Sequence, residues 1–102
     1  MSVDVFIEPE AESQLLELDA WWRVNRPASA DQVLDEFERL ELELSESPEV
    51  GRLYGDHEHI RWVKLNKTPY LLFYEYTPGS EQVWIVSIWS GQRGSGPDFS
   101  SR

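Results

Sequence analysis

The stretch that decides the fold is YLLFYEYTPGSEQVWIVSIWS, residues 70–90. Two runs rich in β-branched and aromatic residues flank the sequence TPGS, in which Pro78 pre-sets φ for a tight turn and Gly79 supplies the positive φ of a type II turn. The stretch therefore predicts a β-hairpin. Both faces of each run are largely apolar, whereas a solvated hairpin would show one polar face. We expect these two strands in the middle of a sheet, with helices on one face and other structure on the second.

The alternation of side chains assigns each hairpin residue to a face of that sheet. The first strand is expected to place Tyr70, Leu72, Tyr74 and Tyr76 on one face and Leu71, Phe73 and Glu75 on the other. The second is expected to alternate Val83, Ile85, Ser87 and Trp89 against Trp84, Val86, Ile88 and Ser90. This assignment assumes an unbroken alternation along both strands.

Two amphipathic helices are predicted ahead of the hairpin. The first begins at Pro9, whose missing N–H costs nothing at a helix start, and ends before Pro27. The second begins at Ser29, with an S-x-x-Q capping box to Gln32, and runs to about Glu46. The predicted core stripes are Ala11, Leu15, Leu18 and Trp22 on the first helix and Ala30, Val33, Leu34, Phe37, Leu40 and Leu44 on the second. The loop between them is short, so they should form an antiparallel pair packed on the sheet.

The remaining strands complete an α+β layout. One strand over residues 3–7 precedes the helices, and another over residues 60–65 precedes the hairpin. The order is therefore strand, helix, helix and then an antiparallel meander of three or four strands, with the helices on one face of the sheet. We expect a single domain over residues 1–94. The glycine- and serine-containing end over residues 95–102 is expected to be a flexible tail.

Charge is distributed unevenly along the chain, whose formal net charge is -10. Residues 1–50 hold 14 of the 19 acidic side chains and only three basic ones, which is typical of a solvated helix surface. Residues 51–102 hold six basic and five acidic side chains. An anionic ligand would therefore have to approach the second half of the chain.

The chain lacks the sequence signatures of disulfides, secretion, membrane spans and metal sites. There is no cysteine, and the N-terminus has neither the basic region nor the apolar run of a signal peptide, so we expect a cytoplasmic protein without disulfides. No segment approaches the roughly 20 apolar residues of a membrane span. The run Asp56-His57-Glu58-His59 contains an H-x-H pair, but zinc sites need three or four ligands, so we interpret it as a polar turn. No metal or cofactor is expected.

Six short features occur in a fixed order along the chain. They are Glu10-Ala11, Pro27-Ala28-Ser29-Ala30, Pro48-Glu49-Val50-Gly51-Arg52, Ile60-Arg61-Trp62, Tyr70-Leu71-Leu72-Phe73-Tyr74 and Trp89-Ser90-Gly91-Gln92-Arg93. Because these six features occur in this order, the chain resembles the RelE/ParE superfamily of type II toxin-antitoxin toxins from about Val5 to Arg93. It is most similar to the ParE-like, plasmid-stabilisation branch. The resemblance implies the α+β toxin fold and a cognate antitoxin as partner.

Members of this superfamily share a fold but act on different targets. The resemblance implies a ParE-like toxin that binds and inhibits a topoisomerase, DNA gyrase, without hydrolysing a substrate. The alternatives are a RelE-like ribosome-dependent mRNA endoribonuclease and a non-toxic interaction module of the same fold. Ser90 stands where many relatives have histidine, and the tail offers Phe99 instead of a tyrosine, so little of an acid-base set is present. A binding inhibitor is therefore favoured over an enzyme, and neither a membrane nor sequence-specific DNA is expected as a partner.

The predicted site lies in the less acidic half of the chain. Arg61 and Arg93 match the family's basic residues best, are the only catalytic candidates, and are expected to lie near one another. The target- or antitoxin-binding residues are predicted to be Arg61, Lys64, Lys67, Trp89, Gln92 and Arg93. Arg61 has a second interpretation as a structural residue that either pairs with an acidic side chain of the helix layer or hydrogen-bonds backbone at a strand end. The apolar second face of the sheet, or its edge, is the predicted docking place for an acidic or amphipathic antitoxin segment.

Overall fold

The computed structural model describes residues 2–91 and 96–102 of the 102-residue chain. Its elements are β1 (Asp4–Ile7), α1 (Pro9–Asn25), a 3-10 turn (Pro27–Ser29), α2 (Gln32–Glu46), β2 (Arg52–Leu53), β3 (Ile60–Lys64), β4 (Tyr70–Glu75) and β5 (Gln82–Ser90). The strands form one sheet in the order β1-β5-β4-β3-β2. The predicted α+β layout, with a strand, two helices and an antiparallel meander, is confirmed. No helix in the described part of the chain is long and apolar enough to cross a membrane.

The predicted hairpin lies inside the sheet. Gly79 has a φ of 88°, and the Ser80 N–H donates to the carbonyl oxygen of Thr77 at 2.8 Å, which closes the turn. β5 has β4 on one side and β1 on the other, so no strand edge of the hairpin turns wholly to solvent. β1 runs parallel to β5, while the pairs β2–β3, β3–β4 and β4–β5 are antiparallel.

The helices cover one face of this sheet. Tyr74, Leu72, Val83 and Ile85 are almost fully buried there, against the stripes of α1 and α2. Ala11, Leu15, Val33, Phe37, Leu40 and Leu44 supply the buried part of those stripes, as predicted. Burial of this apolar surface is the main favourable term in the folding of the domain.

The alternation along β5 breaks at Val86, which corrects the predicted face assignment. Tyr74 pairs with Ile85, but Phe73 pairs with Ser87, so Val86 is an extra residue that forms a β-bulge. Beyond the bulge, Ile88 contacts the helix-side core, while Trp89 packs on the opposite face. Because both faces of the strand are apolar, the hydrophobic pattern gives no sign of the inserted residue.

The second helix begins later than predicted. Pro27 starts a 3-10 turn instead, in which the Ser29 N–H donates to the Arg26 carbonyl oxygen at 2.9 Å. α2 begins at Gln32 after Asp31, which makes no side-chain capping hydrogen bond. The predicted Ser29 capping box is therefore not formed, because the chain is still within the turn that Pro27 initiates.

The C-terminal segment packs on the face that the helices leave open, where the sequence predicts a flexible tail. Phe99 is buried with Phe73, Val86 and Ile60. Its ring centroid lies 5.7 Å from that of Phe73. Phe99 thus covers part of the second apolar face of the sheet, which is the predicted docking place for a partner.

Candidate functional site

The loop of residues 48–52, between α2 and β2, is held by a buried tyrosine. The Tyr74 hydroxyl donates to the carbonyl oxygen of Pro48 at 2.9 Å and accepts from the Gly51 N–H at 2.8 Å. Burial raises the pKa of the Tyr74 hydroxyl, which stays neutral and can serve as donor and acceptor at once. One strand residue therefore satisfies two backbone groups of this loop.

Arg61 supports the same loop from β3. Its guanidinium donates to the carbonyl oxygen of Gly51 at 2.7 Å and to that of Glu49 at 3.2 Å. Arg61 lies opposite Tyr74 across the β3–β4 pair, so the two side chains approach the loop together. This arrangement is the one expected if Arg61 is structural: a side chain at a strand end that hydrogen-bonds backbone.

Gly51 is required at the centre of this arrangement. A Cβ atom at this position would lie 2.7 Å from the Tyr74 hydroxyl oxygen and 2.9 Å from the Trp62 carbonyl oxygen. Both distances are shorter than a carbon-oxygen contact allows, and one of the two atoms belongs to the backbone. Close packing therefore explains the glycine of the Pro-x-x-Gly-Arg motif.

Beside this loop, a groove of about 450 Å³ runs between α2 and β3. We call it the α2–β3 groove. It is lined by Glu36, Arg39, Leu40, Glu43, Val50, Arg52, Trp62, Val63, Lys64, Leu65 and Asn66. Arg52 lies over the indole of Trp62, with its guanidinium carbon 5.9 Å from the ring centroid. Apolar residues and charged residues of both signs therefore line the groove, with Val63 against the helix-side core and Trp62 on the opposite face of β3.

The predicted site residues do not form one cluster. Lys64 shares a cross-strand row with Leu71 and Trp89, close to the end of β5. Arg61 lies three positions earlier on β3 and is directed at the 48–52 loop. The Lys67 side chain borders a different groove, at the start of α2.

Gln92 and Arg93 lie outside the described residues, so the predicted approach of Arg93 to Arg61 stays a prediction. The described chain before them ends beside the β3–β4 turn. There the Gly91 N–H donates to the Pro69 carbonyl oxygen at 2.6 Å. A Cβ at Gly91 would lie only 3.0 Å from that oxygen.

The sequence model of the ParE toxin of type II toxin-antitoxin systems, parDE, matches residues 5–94. The chain belongs to this family. A comparison with curated proteins finds no match.

Solved structures support the same fold for this ParE-family chain. A chain from the chromosomal ParDE toxin-antitoxin system of P. aeruginosa superposes with a TM-score of 0.70 at 13% identity, covering 87% of this chain and 96% of that one. A mutant of the E. coli toxin RelE in the free state gives 0.60 at 20% identity, covering 90% and 86%. A chain of the intact E. coli RelBE toxin-antitoxin complex gives 0.59 at 19% identity, covering 91% and 100%.

His57 of the ParE-family chain packs against aromatic rings. The His57 ring stacks on Tyr54, with centroids 5.7 Å apart and an interplanar angle of 2°, and meets Phe99 edge-on at 6.1 Å. Within residues 2–91 and 96–102, no group of three or more His, Cys, Asp or Glu side chains could hold a metal ion. Asp56-His57-Glu58-His59 is thus part of a turn that packs against the C-terminal segment.

Four residues of this candidate site were missed by reasoning from the sequence. Arg39 and Arg52 line the α2–β3 groove, and Tyr74 holds the 48–52 loop. Glu36 is 5% exposed and accepts the Lys67 N–H at 2.8 Å through Oε2, while its Oε1 is buried with no partner in the described part of the chain. Only Glu36 could have been found from the sequence. It is an acidic residue beside the core positions Val33 and Phe37 of the α2 stripe, which predicts that its carboxylate is buried and bonded.

Proposed function

We propose that this protein is the toxin of a type II toxin-antitoxin pair, that it binds and inhibits DNA gyrase, and that a cognate antitoxin neutralises it. The family match over residues 5–94 supports the toxin role. The matched E. coli RelBE structure is a toxin bound to its antitoxin, which supports a partner of that kind here. Members of the wider fold differ in target, so the choice of gyrase needs a separate argument.

The contacts of Arg61 carry that argument. In a ribonuclease of this superfamily, Arg61 would be the candidate for stabilising the phosphate in the transition state. Here its guanidinium is hydrogen-bonded to the carbonyl oxygens of Glu49 and Gly51. The neighbouring Tyr74 hydroxyl is committed to the same loop. These contacts favour a protein that acts by binding its target.

No general acid is apparent near Arg61 in the described residues. The His57 imidazole packs between Tyr54 and Phe99. Ser90 replaces the histidine found in many relatives and cannot titrate near neutral pH. We therefore assign target or antitoxin contact to the other predicted residues: Lys64, Lys67, Trp89, Gln92 and Arg93.

The test compares two assays on the same purified protein, freed of antitoxin. We expect dose-dependent loss of DNA supercoiling by gyrase, together with intact mRNA in an in vitro translation reaction. Arg93→Ala should lose most of the inhibition, and the melting temperature of the variant is measured beside that of the wild type.

Other outcomes identify the alternatives. Cleavage of mRNA on ribosomes, with supercoiling unaffected, would assign the chain to the RelE-like endoribonucleases. A protein that inhibits neither reaction and does not slow growth on expression would be a non-toxic module of this fold. An Arg93→Ala variant that remains fully inhibitory would remove this residue from the site.

A further inference from the structure

One acidic residue interrupts the apolar stripe of α2. The helix has five buried residues, of which four are apolar and the fifth is Glu36: Val33, Glu36, Phe37, Leu40 and Leu44. Among the residues that the structure describes, Glu36 is the only buried acidic or basic side chain. Burying such a polar group costs free energy unless it is hydrogen-bonded. The contacts of Glu36 therefore indicate what it does in this position.

Glu36 holds the β3–β4 turn, which consists of residues 65–69. Its Oε2 atom accepts the Lys67 N–H, in the middle of this turn, at 2.8 Å. The ends of the turn are joined by the Leu65 N–H, which donates to the Tyr70 carbonyl oxygen at 3.0 Å. The side chains of Leu65 and Thr68, on either side of Lys67, are buried. The turn is thus anchored to the interior of the protein, and Glu36 supplies the anchor at its centre.

The rest of the Glu36 carboxylate is not compensated. Its second oxygen, Oε1, is buried and has no hydrogen-bond partner within residues 2–91 and 96–102. A partly satisfied polar group in the interior adds little to stability, and an apolar side chain of similar volume often does as well. A residue that breaks the local pattern without such a gain is expected where function requires it. We therefore looked for function in the turn that Glu36 holds.

The β3–β4 turn connects most of the residues to which target contact is assigned above. Lys64 is the last residue of β3, directly before the turn, and the exposed Lys67 lies in its middle. The Pro69 carbonyl oxygen accepts the Gly91 N–H at 2.6 Å, so the turn also holds the chain just past the end of β5. The proposed contact residues 92–93 follow directly in the sequence. A displacement of the turn would therefore be passed to both basic segments of the proposed site.

We propose that Glu36 is a positioning residue for target binding: by accepting the Lys67 N–H, it fixes the β3–β4 turn in the conformation that presents Lys64 and Lys67 to the target. This rests on the proposed function, which assigns target contact to these residues. Glu36 itself is buried and does not touch the target. Its contribution is preorganisation, because a turn that is already ordered loses less conformational entropy when a partner binds.

The contact is made to the backbone of Lys67, which determines the variants that test it. The Lys67 side chain makes no ion pair or hydrogen bond within the described residues. The turn therefore requires an oxygen acceptor at this reach from α2, and a charge is not needed. Glu36→Gln keeps the acceptor, Glu36→Met removes it from a side chain of similar length, and Glu36→Asp withdraws it by one methylene.

The experiment measures inhibition of gyrase supercoiling, amide hydrogen exchange and melting temperature on the full chain. We expect the methionine and aspartate variants to inhibit about tenfold more weakly than the wild type, because their turn must be ordered on binding. The Lys67 amide should exchange about tenfold faster or more in both, since it has lost its acceptor, and the Gly91 amide should follow. Glu36→Gln should stay within about twofold of the wild type in both measurements, because it keeps the hydrogen bond.

The matched control is Ser45→Ala, near the other end of α2. The Ser45 hydroxyl donates to the Val3 carbonyl oxygen at 2.8 Å, so this variant also removes a hydrogen bond from the helix to a backbone group. Inhibition and exchange at Lys67 should stay within about twofold of the wild type, because the lost bond is distant from the turn. A loss of inhibition as large as that of Glu36→Met would show a general effect of stability and overturn the proposal.

The remaining outcomes separate this proposal from the proposed function. A wild type that inhibits gyrase, together with methionine and aspartate variants that inhibit equally well, would leave Glu36 a purely structural residue. An equal loss in Glu36→Gln would also overturn the positioning role, because the acceptor is retained there. If the methionine variant does not fold, the aspartate variant carries the test. A wild type that does not inhibit gyrase would overturn the proposed function, and the positioning role with it.

Discussion

At the scale of single residues, Tyr74 and Arg61 divide the backbone groups of the 48–52 loop between them. The tyrosine takes the Pro48 carbonyl and the Gly51 N–H, and the arginine takes the carbonyls of Glu49 and Gly51. Both side chains point to the helix side of the sheet, where unmatched polar groups are costly. The loop that carries Val50 and Arg52 into the α2–β3 groove is therefore positioned by the interior of the protein.

The Tyr74→Phe substitution tests this role. It leaves the buried Gly51 N–H and Pro48 carbonyl without their partner, which should lower the free energy of unfolding by about 1–3 kcal/mol. Urea denaturation followed by circular dichroism measures the change. Tyr76→Phe is the matched control, because Tyr76 is 8% exposed and its hydroxyl makes no hydrogen bond within the described residues. Similar losses in the two variants would show that the loop does not depend on the Tyr74 hydroxyl.

At the scale of elements, α1 completes the edge of β5 that β1 is too short to cover. β1 pairs with β5 only as far as Ile85, just before the bulge. Beyond it, Gln14 of α1 accepts the Ile88 N–H at 2.7 Å and the Ser87 hydroxyl at 3.3 Å through its Oε1 atom. A helix side chain thus replaces a strand partner at the bulge.

We expect Gln14→Leu to destabilise the protein by about 1–3 kcal/mol, because it strands a buried backbone donor at Ile88. Gln14→Glu keeps an acceptor oxygen in the same place and should recover most of that loss. Hydrogen exchange of the Ile88 amide gives a local reading, with faster exchange in the leucine variant only. Unchanged exchange at this amide in Gln14→Leu would mean that the edge is protected in another way.

At the scale of the whole molecule, the C-terminal segment joins parts of the sheet that are distant in sequence. The Tyr54 hydroxyl donates to the Pro97 carbonyl oxygen at 2.7 Å, and Phe99 fills the space beside Phe73. The Arg102 guanidinium donates to both carboxylate oxygens of Glu8, at 2.9 and 2.8 Å, and to Glu75 at 3.2 Å. The hydrogen bonds to Glu8 raise the pKa of Arg102, which stays charged. The segment is therefore part of the second hydrophobic layer of the domain.

Removal of the Phe99 ring should loosen this layer. Phe99→Ala should lower the free energy of unfolding by about 3 kcal/mol and increase the binding of a hydrophobic dye, because it uncovers Phe73 and Val86. Arg102→Ala should cost no more than about 1 kcal/mol, since its ion pairs are partly exposed. Chemical denaturation and dye fluorescence measure both. A dye-silent Phe99→Ala variant of wild-type stability would show that the segment is only loosely attached in solution.

The sequence by itself determined the hairpin, both helices, the α+β layout and the family, because these depend on turn chemistry, on hydrophobic period and on motifs that are local in the chain. Only the tertiary structure decided where Arg61 and Phe99 lie, and that β5 carries a bulge. The sequence around Arg61 is equally compatible with a ligand-binding and a structural arginine. The hydrogen bond from Arg61 to the Gly51 carbonyl oxygen, ten residues away, supports the structural interpretation. The composition of the final segment is typical of a flexible tail, yet the Phe99 ring packs on the apolar sheet face that the helices leave open. Contacts between residues far apart in the chain produce no periodic pattern in the sequence. The α2–β3 groove could therefore be identified only from the tertiary structure, in which α2, β2 and β3 lie together.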